Sequence, residues 1–491
     1  MIKRLFIKPL VKRNKFENNF QKKSEIISMG VDVIHHGAKN GVTGSCHELN
    51  IINGFSLLID CGLFQGNDAN ISQKIDFSIQ SIQALIVTHS HIDHIGRIPY
   101  LLMAGFNQPI YCTDATALIL PLILEDSLKL SITRRKSLIK STLQKVTNLI
   151  QVIPYNRWHA IKTSLQNHTN IPKVTFKFKN AGHIIGSATI EINIQKTAKK
   201  DRIVFSGDLG APYTPLLSAP KSPYQADTLI LESTYGNRHH EGRKTRKQKL
   251  KSIIKTCFQN KGSLLIPAFS IGRTQELLYD IEQIIQQSQG ERASSNIKWE
   301  DLDIILDSPL GTKITKIYKT LKPIWDAEAR RKINAGRHPL SFEQMLIVED
   351  NKEHQRIVQY LKTSGRPAIV IAASGMCAGG RIVNYLKNLI SDPKTDVLFV
   401  GYQAQGTPGR LIRKYGPQKG WVTLDGRKYD IQAGIHSISG YSAHADQTNL
   451  IRFVNGMRSK PKNIILTHGE AKAQLVLKEK LLQKFPDINI R

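Results

Sequence analysis

Cysteine is scarce in this chain, and its few copies are scattered. Five cysteines occur among 491 residues, an odd number with no C-x-x-C pair, which argues against both a disulfide framework and a zinc–thiolate site. We therefore expect buried thiols in a reducing compartment and predict a cytoplasmic location. The chain also lacks any run of about 18 apolar residues, so no membrane-spanning segment and no membrane partner is predicted.

Acidic residues are few relative to basic ones. The chain has 69 Lys and Arg against 39 Asp and Glu, which gives a formal net charge of +30. This surplus favours a polyanionic partner, first of all nucleic acid, although a general enrichment in lysine on a solvated surface would give the same balance. Residues 1–28 carry eight Lys or Arg and two acids. We expect them to be a basic N-terminal extension, either a disordered arm or the product of a start codon upstream of Met29.

Length and pattern together predict two domains. With 491 residues, 41% of them apolar, the chain exceeds the ~250–300 residues at which single cores stop growing. Short strands and Gly-containing turns fill 29–212, whereas 213–427 alternates buried strands with helix-like stretches, the βαβ rhythm of a parallel sheet. Residues suited to metal binding return in 428–491. The prediction is one metal-binding domain, 29–212 plus 428–491, interrupted by an inserted α/β domain at 213–427.

The segment 88–94, of sequence THSHIDH, carries the strongest chemical signal. It follows the apolar run 84–87, which predicts a short buried strand. Residues two apart on an extended chain point to the same side, so we expect His89 and His91 to hold one ion together. Asp93 and His94 come where the chain turns off the strand and are expected to face a second ion. Zinc favours imidazole and carboxylate, and two ions about 3.5–4 Å apart form a hydrolytic clamp.

Four further candidate ligands, Asp60, His183, Asp208 and His468, stand beside or near glycine at the ends of predicted strands. Glycine next to a ligand allows tight turns and close approach of the backbone. A single buried histidine is more often a core residue than a ligand. Because the same pattern recurs at four strand ends, we predict that these residues converge on one site.

These motifs resemble those of the metallo-β-lactamase fold in its β-CASP nucleic-acid-processing branch. The matching segments are HSHIDH at 89–94, AGHIIG at 181–186, SGD at 206–208, LESTYG at 231–236, SGMCAGG at 374–380, GYSAH at 440–444 and THG at 467–469. They stand in the family's order over about 31–480 and are most similar to bacterial and archaeal relatives of the pre-mRNA 3′-end processing endonuclease. The resemblance implies an α/β fold, a metallo-β-lactamase αββα sandwich with an inserted parallel-sheet β-CASP domain.

The resemblance also implies a role for each matching position. It implies two Zn²⁺ per chain, one held by His89, His91 and His183, the other by Asp93, His94 and His468, with Asp208 bridging the two. Asp60 would support the ligands from behind, as metal sites usually require. Asp93 would also take part in catalysis, and Glu232 with His444 would protonate the leaving oxygen. On the residues alone, Glu232 could instead serve as a helix-capping partner.

Three residues are predicted to contact phosphate. Arg273 resembles the family's phosphate-binding arginine, and arginine can clamp phosphate through two parallel hydrogen bonds. Ser374 and Gly375 end a predicted strand, so we expect their backbone N–H groups to cradle a phosphate at a helix start. Ordinary strand-to-helix turn chemistry is the alternative for all three.

The function implied is that of a zinc-dependent ribonuclease that hydrolyses single-stranded RNA in a cleft between the domains. His468 favours RNA because the family's DNA-processing members lack histidine there. Internal cutting is preferred to 5′-exonucleolytic trimming because the chain ends soon after His468, without the extra C-terminal domain of RNase J. The alternatives are a non-catalytic RNA-binding scaffold, which the intact ligand set opposes, and a hydrolase of thioesters or lactams, which would need neither the insertion nor the basic surface. The resemblance is compatible with a homodimer.

Overall fold

A computed structural model describes residues 32–52, 54–162, 171–195, 200–240, 242, 245–364 and 366–491. The predicted extension at 1–28 lies outside the described residues. The first eleven strands are Asp32–Gly37 (β1), Cys46–Ile52 (β2), Phe55–Ile59 (β3), Ile82–Ile86 (β4), Ile110–Cys112 (β5), Ile150–Val152 (β6), His159–Ala160 (β7), Lys173–Asn180 (β8), Ala188–Gln195 (β9), Lys200–Phe205 (β10) and Thr228–Glu232 (β11). The α-helices among them are Ile92–Ile95 (α1), Ile98–Met103 (α2), Asp114–Ser131 (α3) and Lys136–Leu149 (α4).

The middle of the chain alternates helices and strands. Its strands are Leu264–Pro267 (β12), Arg292–Ser294 (β13), Ile297–Lys298 (β14), Ile304–Asp307 (β15), Met345–Ile347 (β16), Ile369–Ala372 (β17), Asp396–Phe399 (β18), Trp421–Leu424 (β19), Arg427–Asp430 (β20) and Gly434–Ser437 (β21). Its helices are Arg246–Gln259 (α5), Arg273–Gln287 (α6), Pro309–Thr320 (α7), Ala327–Asn334 (α8), Asn351–Ser364 (α9), Arg381–Leu389 (α10) and Pro408–Tyr415 (α11). The chain then adds Gln447–Asn455 (α12), Asn463–Thr467 (β22), Ala471–Lys484 (α13) and Asn489–Ile490 (β23).

Two sheets pack face to face. The first has the order β1-β2-β3-β4-β5-β6 and the second β23-β22-β11-β10-β9-β8-β7. Alternation in β8 turns Phe176 and Phe178 inward, where they join Leu57 and Ile86 of the first sheet in one buried core. Leu450 of α12 and Leu477 of α13 cover the outer face of the second sheet. Apolar residues of α3 and α4 lie with those of the first sheet in a third core. This is the predicted αββα sandwich.

The inserted sheet has the order β16-β15-β17-β12-β18-β21, and all its paired strands run parallel. Its central strands β15, β17 and β12 are mainly apolar runs because helices cover both faces, with α5, α6 and α7 on one side and α9, α10 and α11 on the other. The predicted fold class, an αββα sandwich with an inserted parallel-sheet domain, is confirmed.

Sheet membership bears on where the insertion begins and ends. Strand β11 pairs with β10 and β22 of the second sheet, although it lies inside the predicted insertion at 213–427. Strand β21 pairs with β18 of the inserted sheet, although it lies beyond that range. Strand pairing therefore favours limits nearer to 233 and 438 for the inserted domain. Among the described residues, no helix is both long and apolar enough to cross a membrane.

The fold brings the predicted site together through parallel strand pairs. Strands β10, β11 and β22 are mutually parallel neighbours, so their carboxyl ends meet at one edge of the second sheet. Asp208, Glu232 and His468 stand at or just after those ends. Strands β3 and β4 are also parallel, which places Asp60 beside His89 at the matching edge of the first sheet.

Candidate metal centre and its cleft

One group of predicted ligands surrounds His91. The chain leaves β4 at Ile86, and His91 is the last extended residue before α1. Nδ1 of His91 lies 3.1 Å from Nε2 of His89 and 3.0 Å from Nε2 of His183. With Asp208 these residues form a group whose ligand atoms all lie within 4.8 Å of one another. The predicted partners of one ion are therefore brought together.

A second group forms around the first turn of α1. This turn carries Asp93 and His94, and His468 approaches from the loop after β22. Nε2 of His94 lies 3.1 Å from Nε2 of His468, and Oδ2 of Asp93 lies 3.4 Å from the same His468 atom. His468 has a positive φ of 51°, so the loop turns sharply at the residue that enters the group.

Asp208 lies between the two groups. Its Oδ2 is 3.5 Å from Nε2 of both His89 and His183 and 3.3 Å from Nε2 of His94. Its Oδ1 is 3.6 Å from Nε2 of His468 and, although buried, has no hydrogen-bond partner in the described part of the chain. A buried carboxylate oxygen without a donor is costly unless a cation meets it. The carboxylate therefore lies close to ligand atoms of both groups.

The donor set fits zinc. In a tetrahedron with bonds of about 2.0–2.1 Å, two nitrogen ligands lie roughly 3.3 Å apart, close to the nitrogen separations in both groups. Burial lowers the pKa of His89 and His183 well below the ordinary value and that of His91 to about 4. These imidazoles are therefore neutral at neutral pH, and neutral imidazole is the form that binds a metal. Burial also acts on His94, but Asp208 and Asp60 outweigh it and raise its pKa well above the ordinary value.

Asp60 holds the ligands from behind. Its Oδ1 accepts a hydrogen bond of 2.7 Å from the backbone N–H of Thr88, and its Oδ2 accepts one of 2.8 Å from the Thr88 hydroxyl. The same Oδ2 lies 2.7 Å from Nδ1 of His94, which leaves Nε2 of that ring for an ion. Thr88 also reaches Nδ1 of His89 at 3.0 Å. Asp60 thus lies behind the predicted ligands and contacts Thr88 and His94.

Glu232 and His444 form a pair beside the ligands. Nδ1 of His444 lies 3.2 Å from Oε2 and 3.3 Å from Oε1 of Glu232. Burial would lower the pKa of His444, but Glu232 and then Asp208 raise it above the ordinary value. Oε1 of Glu232 also accepts a 2.6 Å hydrogen bond from the backbone N–H of Leu209, so that the carboxylate is fixed in place. A histidine that keeps its proton at neutral pH can act as a general acid.

Two of the three residues predicted to contact phosphate already donate hydrogen bonds within the protein. The Arg273 guanidinium is buried and makes a bidentate pair with Glu276, and it also donates to the carbonyl of Tyr441. The backbone N–H of Ser374 donates to the carbonyl of Gly379 within its own loop. Arg273 lines the cleft, whereas neither Ser374 nor Gly375 does. Their phosphate roles remain predictions of the sequence.

A cleft opens in front of the metal ligands. His91, Asp93 and His444 line one wall, and Phe269 and Tyr402 of the inserted domain line the other. The cleft lies between the two domains, where the sequence predicted it.

Some residues of the site had not been predicted from the sequence. Thr234 lies 3.1 Å from Nδ1 of His468 through its hydroxyl, which also donates to the His468 carbonyl at 3.0 Å. Thr88 supports the opposite side of the centre. Both threonines lie inside motifs that the sequence marked for their charged members, THSHIDH and LESTYG. Their place one or two residues from those members was the available signal.

Three family models match successive parts of the chain. The metallo-beta-lactamase superfamily model matches 42–268 and the Beta-Casp domain matches 274–412. The Zn-dependent metallo-hydrolase RNA specificity domain matches 428–491. The last match contains the predicted metal ligand His468 and the predicted acid His444. The first match contains the other predicted metal ligands. The order of the three matches is the order of the motifs along the chain.

Curated relatives align over most of the chain. It is 31% identical over 460 residues to Ribonuclease TTHA0252 of Thermus thermophilus, an alignment that covers 93% of this chain and 97% of that protein. It is 29% identical over 444 residues to Transcription termination factor FttA of Methanosarcina mazei, covering 87% of this chain and 65% of that protein. For FttA of Methanocaldococcus jannaschii the identity is 30% over 428 residues, and the shares are 84% and 63%. The chain thus spans somewhat less than two thirds of these two archaeal relatives.

Proposed function

The chain is a metal-dependent RNA hydrolase that belongs to the β-CASP group of the metallo-β-lactamase superfamily, and from this premise we propose that it cuts single-stranded RNA internally with two zinc ions. The observation that carries the proposal is the position of Asp208, whose carboxylate lies 3.5 Å from Nε2 of His183 in one ligand group and 3.3 Å from Nε2 of His94 in the other. A bridging carboxylate of this kind fits a pair of ions and has no evident purpose with one.

Different residues would hold the two ions and orient the metal ligands. His89, His91 and His183 would hold one zinc ion, and Asp93, His94 and His468 the other, with Asp208 shared between them. When bound, two zinc ions acidify a water molecule at neutral pH and neutralise charge on the attacked phosphate. Asp60 contacts Nδ1 of His94 and Thr88 contacts Nδ1 of His89, which would leave Nε2 of each ring to hold an ion.

Release of the leaving oxygen needs a proton. His444 is suited to supply it because the nearby Glu232 raises its pKa, so that the ring keeps its proton to higher pH than an ordinary histidine does. Both side chains stand at the edge of the metal centre, since Nδ1 of His444 lies 3.9 Å from Oδ2 of Asp208. The products would be a 5′-phosphate and a 3′-hydroxyl. Atoms of Asp208, Glu232 and His444 also lie close enough to hold an ion, but Asp208 is already shared by the two ligand groups.

RNA as the substrate is supported by the printed name of the Thermus thermophilus relative and by the RNA specificity domain that the C-terminal segment matches. The formal charge of +30 suits a polyanion. All five cysteines are buried free thiols, which supports a reducing, cytoplasmic location. A homodimer is proposed from the family resemblance alone, and sedimentation equilibrium would test it.

The test is a time course on 5′-end-labelled single-stranded RNA with zinc-loaded protein and a chelator control. Labelled fragments of intermediate length that vanish with chelator are expected. Labelled mononucleotide as the only product would instead indicate a 5′-exonuclease, and intact RNA at saturating protein would favour a binding scaffold. The variant Asp208→Asn should abolish cutting. Its matched control is Asp307→Asn, a buried carboxylate of the inserted domain that contacts His354 at 2.6 Å, which should leave cutting in place.

A further inference from the structure

The cleft wall opposite the metal ligands carries an aromatic side chain that the proposed chemistry does not use. Phe269 follows β12 and precedes α6, in the short loop that joins them. Its carbonyl accepts hydrogen bonds from the backbone N–H of Thr274 at 3.3 Å and from the Thr274 hydroxyl at 2.8 Å. The loop is therefore held by the first turn of α6, and the ring does not depend on a mobile backbone.

Gly375 makes room for this ring, and Gly401 lies beside it. A Cβ placed on Gly375 would stand 2.9 Å from Cδ2 and 3.0 Å from Cε2 of Phe269, closer than such contacts normally come. A Cβ on Gly401 would stand 3.7 Å from Cε2 of the same ring. The aromatic side chain thus rests directly on the backbone of two loops of the inserted domain. Any side chain at Gly375 would push it out of position.

The other side of the ring faces the metal centre. The centre of the Phe269 ring lies 6.5 Å from the centre of the His91 ring, with 48° between the two planes. Phe269 is only partly buried and lines the cleft together with Met376 and Tyr402. A flat apolar surface therefore stands next to the position where a phosphodiester would be cut.

We propose that Phe269 is a stacking platform for the base of a nucleotide adjacent to the cut phosphodiester, an assignment that rests on the proposed function. Each base has an apolar face, so a phenyl ring can bind any of the four without reading their hydrogen-bonding edges. The base must leave its neighbours to reach the ring, so a paired strand is excluded. The platform therefore selects a single strand while tolerating any sequence.

A purely structural role for the ring predicts something different. If Phe269 only fills space between the domains, its loss would affect every substrate equally. If it stacks on a base, its contribution vanishes when that base is removed. RNA with one abasic ribose, moved in turn through the positions on both sides of the cut site, separates these cases.

Three proteins are compared on this substrate series: the wild type, Phe269→Leu and Phe269→Trp. Leucine keeps an apolar side chain without a flat face, and tryptophan keeps an aromatic face. For the wild type we expect kcat/KM to fall roughly 5- to 150-fold when the abasic ribose occupies the stacked position, and little elsewhere. Phe269→Leu should show a similar fall on intact RNA and no further fall on that abasic substrate. Phe269→Trp should keep the wild-type pattern.

An equal abasic penalty in the wild type and in Phe269→Leu would overturn the proposal, because the base would then be read elsewhere. A second measurement does not depend on cutting. RNA with 2-aminopurine at the stacked position should fluoresce differently when bound to wild-type protein than when bound to Phe269→Leu, because only the wild type moves the base from its neighbours onto an aromatic ring. If the wild type cuts no RNA, the proposed function fails while this fluorescence difference still decides the stacking. If RNA is cut but no fluorescence difference appears at any position, the platform alone is refuted.

Discussion

Asp60 gives the sharpest test of the metal centre because it contacts the ligands without being one. The change Asp60→Asn keeps the size of the side chain, and asparagine readily adopts the positive φ of 59° found at this position. The amide nitrogen must face either the Thr88 N–H or Nδ1 of His94, both of which the carboxylate now meets at 2.7 Å. In either orientation the amide N–H of asparagine faces another hydrogen-bond donor.

The expected magnitude follows from those contacts. A hydrogen bond to a charged group contributes about 1.5–3 kcal/mol, and loss of a group that orients a metal-bound histidine costs about 10- to 100-fold in metal affinity. We therefore expect Asp60→Asn to weaken the binding of the ion at His94 by about 10- to 100-fold, or about 1.4–2.8 kcal/mol. Ions held by His89, His91 and His183 should be affected less, since Asp60 makes no direct hydrogen bond to their rings.

The assay is competition for zinc with a chromophoric chelator at fixed pH, with two binding steps resolved. Asp307→Asn is the control, because Asp307 also accepts from a histidine, His354, and from Tyr385 at 2.6 Å, but within the inserted domain. It should lower the melting temperature and leave both zinc affinities unchanged. Wild-type affinity in Asp60→Asn, or an equal loss in Asp307→Asn, would refute the reasoning.

Three further predictions concern the pair formed by His444 and Glu232, the hydroxyl of Thr234, and the removal of zinc. The protonated form of His444 is the active one, so activity is lost as pH rises through its pKa. Glu232→Gln should lower that pKa and move the alkaline limb of the kcat/KM profile to lower pH. An alkaline limb that stays in place would contradict the assignment. Thr234→Val should weaken zinc binding at His468 by about 10-fold while Thr234→Ser restores it, as a zinc titration would show. Chelation should lower the melting temperature, since zinc at 100 times its Kd stabilises the folded state by about 2.7 kcal/mol; equal melting curves with and without chelator would contradict a resident ion.

Local patterns were enough for the ligand types and for the order of the domains. The run THSHIDH sets four candidate ligands on one strand end and one helical turn, because spacing along the chain alone decides which of them share a side. The alternation in β8 and the continuous apolar strands of the inserted domain likewise predicted sheets with one or two covered faces. These patterns could not predict strand pairing, which decides where the insertion begins and ends. The sequence of β11 is similar in pattern to the strands that follow it, but β11 pairs with β22.

Tertiary contacts bring distant residues together and set the partners that each residue has. Local patterns identify Asp208 and His468 as ligand-type residues at strand ends, but parallel pairing of β10, β11 and β22 across 260 residues brings them to the same edge. The pairing of Arg273 with Glu276, and the seat of Phe269 on Gly375, depend on side-chain packing between loops. Such contacts leave no periodic trace in the chain, because they join segments whose separation in sequence says nothing about their separation in space.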